Sequence, residues 1–171
     1  MGHPFQFSGY RFKQGWTLQL MQGVSLGFLI QLIPLVLMWI FGWYHVEGWL
    51  WNYKPFYSLF PALLFSFIFA SETAILEESL FRGFMMNTLS DRYNVKVGLA
   101  ASSILFGLLH FSGTSSEFPW WLSLVSATIA GFVFGQAYLL YGNIWVPLGI
   151  HFGVHFAART LGTVGLTPDE A

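Results

Sequence analysis

The 171-residue chain is 55% hydrophobic, 20% aromatic and only 9% charged, where an ordinary soluble domain carries about 25% charged residues. So thin a polar coat excludes a water-soluble globule of this size and places the chain in a membrane. A net charge of −1 excludes the basic field that a nucleic-acid binder needs, and the lack of cysteine excludes disulfides, thiolate metal ligands and a cysteine nucleophile.

The first sixteen residues are polar and aromatic with no early apolar core, so no signal peptide is read there. A membrane-crossing helix needs about 20 apolar residues, and five candidates follow. The first runs from Leu18 to Trp43 with Pro34 inside it. The second starts between Phe56 and Pro61 and continues to Leu89. At about 1.5 Å per residue it would measure about 50 Å, too long for a simple crossing. Its C-terminal half carries Glu77, Glu78 and Arg82. Lipid-exposed charge costs about 2.5–3.5 kcal/mol per group, so that half must face protein or a wet hollow. Glu72 reads as a solvated residue.

The third candidate, Val97 to Phe111, is short; the fourth runs from Trp120 to Tyr141 and the fifth from Ile144 to Leu161. No stretch alternates as an outer-membrane barrel strand does. The fold expected is therefore all-α: one membrane domain, residues 1–171, a polytopic transmembrane helix bundle of about five spans around a polar cavity. With the N-terminus in the cytoplasm, Arg11, Lys13, Arg92 and Lys96 lie inside, and Lys54, Glu117, Asp169 and Glu170 lie outside, as the positive-inside rule asks. Gly131-Phe-Val-Phe-Gly135 and Gly149-Ile-His-Phe-Gly153 both have the GxxxG spacing of close helix crossings. The second pattern brackets His151 and predicts that this histidine sits where two helices touch.

The polar residues at membrane depth carry the chemistry. Glu78 and Arg82 are one helical turn apart and read first as a structural pair. Glu77 points about 100° away and has no partner on its own helix. His110 ends the third span, and His151 and His155 share one face of the fifth. Counted from the nearest inside loop, Glu77 and His110 each lie about 21 Å deep, His151 about 12 Å and His155 about 18 Å. These four groups, from three helices, are therefore expected to meet. A carboxylate and an imidazole can polarise one water, and further imidazoles can hold a developing oxyanion. The same groups, Glu77, His110, His151 and His155, also suit Zn²⁺. Both routes give hydrolysis. No serine sits in a nucleophile elbow and no glycine-rich phosphate loop is present, which excludes covalent catalysis and nucleotide use.

In these residues the sequence resembles the CPBP intramembrane proteases, which include the type II CAAX prenyl proteases, the Abi and bacteriocin-immunity proteins and proteins like lysostaphin resistance protein A. The family's EExxxR motif is matched by Glu77-Glu78-Ser-Leu-Phe-Arg82, its FxxxH motif by Phe106-Gly-Leu-Leu-His110, and its third motif by the segment from Asn143 through His151 to His155. The matching core covers about residues 61–161. The resemblance implies an intramembrane endopeptidase in which Glu77 and His110 activate water, His151 and the residue four later hold the oxyanion, and Glu78 and Arg82 support the site. It leaves the cofactor open between none and Zn. At His155 many members carry Asn; a neutral imidazole donates one hydrogen bond, as an amide does. The implied partners are membrane lipid and a peptide or membrane-protein substrate, in a bacterial plasma membrane. Two rival readings are a non-catalytic immunity or scaffold protein, and a proton or metal transporter, for which inverted repeats are expected.

Overall fold

The computed structural model describes residues 9–48, 55–110, 119–161 and 165–168. Lys54, Glu117, Asp169 and Glu170, which entered the orientation argument, lie outside them.

Six helices carry the described fold. Helix α1 is Trp16–Ile40, α2 is Phe56–Glu78, α3 is Asn87–Arg92, α4 is Val95–Leu109, α5 is Trp120–Tyr141 and α6 is Trp145–Leu161. A π-helical segment, Ser79–Met86, joins α2 to α3, so the chain is continuously helical over Tyr57–Arg92. Three stretches are long and apolar enough to cross a membrane: Trp16–Ile40, Tyr57–Arg92 and Trp120–Tyr141. Their outward side chains, such as Leu29, Phe65 and Ile129, are exposed and apolar, which only a lipid surround tolerates on this scale. The protein is an integral membrane protein. Among the described residues, strand β1, Tyr44–Gly48, pairs antiparallel with β2, Gly165–Pro168. Two strands this short carry too little periodicity to be read from sequence.

Local chemistry sets the helix ends. α1 runs through Pro34 and stops at Gly42, whose φ of 72° only glycine adopts without strain. Asn94 caps α4 by accepting from the Val97 N–H at 3.0 Å. Gly142, with φ of 62°, ends α5, and the Asn143 side chain then accepts from the Trp145 N–H at 3.1 Å to start α6. This three-residue turn, Gly142 to Ile144, fixes where α6 begins and hence the height of its histidines.

Helix α6 is the centre of the molecule, with α1 and α2 both packed along it. The crossing of α1 with α6 rests on four glycines. A methyl group placed on Gly149 would come within 2.9 Å of the Gly23 Cα, and one on Gly27 within 2.9 Å of the Gly153 Cα. The partner of the Gly149/Gly153 pattern is thus a second GxxxG, Gly23-Val-Ser-Leu-Gly27. The prediction that His151 lies at this contact is corrected. It is about 200° around the helix from Gly149 and points away from α1, toward α2. The glycines let α1 support α6 from behind while His151 faces the site. Gly149→Val is expected to lower stability by about 1–3 kcal/mol through overpacking; an unchanged melting temperature in detergent would show that the crossing is not tight.

Candidate active site

Four elements bring the polar groups together: the end of α2, the π-helical segment, the end of α4 and the middle of α6. The π-helical segment begins directly after Glu78, and such wide turns recur at functional sites. Arg82 Nη1 donates to Glu78 Oε1 at 2.9 Å, the pair that the sequence spacing predicts. Its Nη2 donates to the Gly131 carbonyl of α5 at 2.7 Å. Both side chains are fully buried. The guanidinium carbon lies 4.8 Å from the centre of the Phe106 ring, 5.2 Å from that of Phe134 and 5.7 Å from that of Phe81. An arginine so enclosed is held by its carboxylate, one carbonyl and three aromatic rings.

Glu78 also accepts from His151. Nδ1 of His151 lies 2.8 Å from Glu78 Oε1, and a carboxylate only accepts, so this nitrogen carries the proton. His151 is buried, stacked on Phe134 with centroids 4.8 Å apart. Its other nitrogen, Nε2, lies 3.7 Å from Glu77 Oε2. Nδ1 of His110 lies 2.8 Å from the Phe106 carbonyl, which likewise makes that nitrogen the donor. This leaves His110 Nε2 facing Glu77 Oε2 at 3.8 Å. Both separations are too long for direct hydrogen bonds. Glu77 Oε2 and Glu78 Oε2 are buried and have no hydrogen-bond partner among the described residues.

Glu77, His110 and His151 therefore surround one point. Glu78 and Arg82 stand behind His151 and make no hydrogen bond to Glu77. Exposure divides the group the same way: Glu77 and His110 keep 27% and 35% of their side-chain surface, whereas Glu78, Arg82 and His151 keep 0–2%. His155 stacks on His151 with centroids 4.8 Å apart, and makes no hydrogen bond among the described residues. It joins the cluster at its edge. Glu72 is exposed, as the sequence suggests.

A zinc ion needs ligand atoms about 2.0–2.2 Å from one centre. Among the described residues no group of three or more His, Asp or Glu side chains is arranged as such a ligand set. Sequence reasoning missed three supports: the Gly131 carbonyl, the stacking of Phe134 on His151, and the Tyr10 hydroxyl bonded to Ser79 Oγ at 2.9 Å. A backbone carbonyl leaves no signal in a side-chain pattern; Gly131 stood out only as a packing residue, and there its missing side chain lets Ser103 and Phe106 approach.

Comparison with known proteins places these residues in a family. The model for type II CAAX prenyl endopeptidase Rce1-like proteins matches residues 58–157, from the start of α2 to late α6. The Bacillus subtilis (strain 168) protein YpbD, described as uncharacterized, is 34% identical over 79 residues, covering 46% of this chain and 35% of that protein. The alignment thus spans about a third of the length of this curated relative. No solved structure matches. With more than half its length matched by one family model, and with all the clustered carboxylates and histidines inside the match, the chain belongs to the Rce1-like, type II CAAX prenyl endopeptidase family.

Proposed function

We propose that this protein is an intramembrane endopeptidase that hydrolyses a peptide bond near the membrane, with Glu77 as general base. The observation that supports this most is the approach of His110 Nε2 and His151 Nε2 to one buried oxygen of Glu77, at 3.8 and 3.7 Å. Those gaps suit a water that donates one proton to Glu77 and the other to the unprotonated His110 Nε2.

The reaction then runs in two steps. The water oxygen bonds to the scissile carbonyl carbon as its proton passes to Glu77, leaving the carbonyl oxygen as an oxyanion. Collapse of that intermediate breaks the C–N bond, and Glu77 returns the proton to the leaving amine. Glu77, Glu78 and Arg82 together carry a formal charge of −1, so one further proton makes the cluster neutral. Held on His151, that proton gives an Nε2–H donor for the oxyanion. Glu78, itself anchored by Arg82, fixes the ring that presents this donor. His155, beside His151, offers a second donor to the same oxygen in place of the amide found in many relatives.

All five long helices cross the bilayer in this reading. The N-terminus is cytoplasmic, in a bacterial plasma membrane, and the polar cavity opens to the cytoplasm. The substrates are C-terminal segments of lipidated or membrane-bound proteins, with a bacteriocin leader or membrane regulator the best candidates in a bacterium. His110→Ala is expected to slow peptide cleavage about 10²–10⁴-fold with little change in melting temperature. Full activity in this variant would remove His110 from the site. A cellular phenotype that persists when cleavage is abolished would favour a scaffold role on the same helices.

A further inference from the structure

A second hollow, of about 430 Å³, lies on the opposite side of α2 from Glu77. Val24 of α1, Ser71 and Ile75 of α2, and Leu148 and Phe152 of α6 line it, and Tyr10 stands at one end. Ile75 and Glu77 are two residues apart, about 200° around the helix, so the body of α2 separates this hollow from the site. The inner end is closed as well. Ser79 Oγ donates its one proton to the Ile75 carbonyl at 2.5 Å, so it accepts from the Tyr10 hydroxyl at 2.9 Å.

The shape limits what can occupy it. α1 and α2 both pack on α6 without extensive contact with each other, and the rim residues Met21, Phe67 and Ile75 are exposed. The hollow is therefore a groove open sideways to the membrane. From Phe67 to Ile75 it runs about 12 Å along α2, long enough to take an extended hydrocarbon chain. Water is poorly served, since Ser71 and Tyr10 supply the hydroxyls and Tyr10 has committed its proton; a buried water wants two to four polar partners. Arg11 and Lys13, both exposed, flank Phe12 at the Tyr10 end, where a phosphate would meet positive charge.

We propose that this groove holds one acyl chain of a bilayer phospholipid, with its phosphate beside Arg11 and Lys13. The lipid acts as a resident wedge between α1 and α2 where they diverge over α6. A chain carried by a substrate is disfavoured, because α2 and the Tyr10–Ser79 bond part the groove from Glu77. α1 and Tyr10 lie outside the matched residues 58–157, so the groove is built partly by segments that the family match does not cover.

The test uses the full chain in phosphatidylglycerol vesicles containing a lipid with a diazirine in its acyl chain. After illumination, labelled residues are mapped by mass spectrometry. Label is expected to concentrate on the groove residues relative to equally exposed α5 positions such as Ile129 and Phe132. Val24→Trp and, independently, Ser71→Leu should each reduce groove labelling about tenfold, a loss of about 1.4 kcal/mol of preference, with circular dichroism showing an intact fold. Even labelling over α5 and the groove, or unchanged labelling in whichever variant folds, would overturn the assignment. So would displacement of the label by a farnesylated peptide, since the chain would then arrive with the substrate. Labelling of the Glu77→Gln variant keeps this outcome separate from whether the protein cleaves peptides.

Discussion

Glu77→Gln is expected to lower the rate of peptide cleavage about 10²–10⁴-fold, the contribution of one general base, while leaving the melting temperature within error. The amide has almost the same shape and sits where the carboxylate sat, with its Oε2 position facing two imidazole nitrogens at 3.7 and 3.8 Å. What it loses is the ability to take a proton. Because Glu77 makes no hydrogen bond to Glu78 or Arg82, its replacement leaves the buried pair intact. A structural role would show the reverse: stability would fall and the rate per folded molecule would hold. Cleavage at the wild-type rate by the Gln variant would remove Glu77 as the base.

Arg82→Ala is expected to have the larger effect on stability, about 3–5 kcal/mol, the usual consequence of removing one partner of a buried ion pair. The variant strands Glu78 at 0% exposure, opens the Gly131 carbonyl and empties the space between Phe81, Phe106 and Phe134. Replacing both charges, Glu78→Gln with Arg82→Met, should restore much of that stability, because no uncompensated charge remains. It should not restore cleavage, since the carboxylate that anchors His151 Nδ1 is gone. The comparison is read from thermal or denaturant unfolding in detergent, beside activity per folded molecule. Equal stability of Arg82→Ala and wild type would contradict the enclosed pair.

Much of this was legible in the sequence, because membranes make polar residues conspicuous. The helices were legible from their apolar runs, whereas the stops at Gly42 and Gly142 and the cap at Asn94 emerge from the structure. Counting depth along three spans put Glu77 and His110 at the same height with His151 and His155 within reach, and the i,i+4 spacing marked Glu78 with Arg82. The face that His151 takes was not legible, since GxxxG spacing says that a helix touches another without saying which neighbour lies on the other face. The Gly23/Gly27 half of that crossing was overlooked within a run of apolar residues. The π-helical segment was also beyond reach, because Ser79–Met86 carries no sequence signal that sets it apart from an ordinary α-helix. His155, placed in the cluster by depth, stacks on His151.

The most direct test of the central claim is hydrolysis in H₂¹⁸O. Purified protein in proteoliposomes is given a library of membrane-anchored peptides, and the new C-termini are weighed by mass spectrometry. One ¹⁸O atom in each new carboxylate, appearing with wild-type protein and lost with Glu77→Gln, is the expected result. Label appearing equally fast with the Gln variant, or no cleavage by a folded wild-type protein across the library, would contradict it.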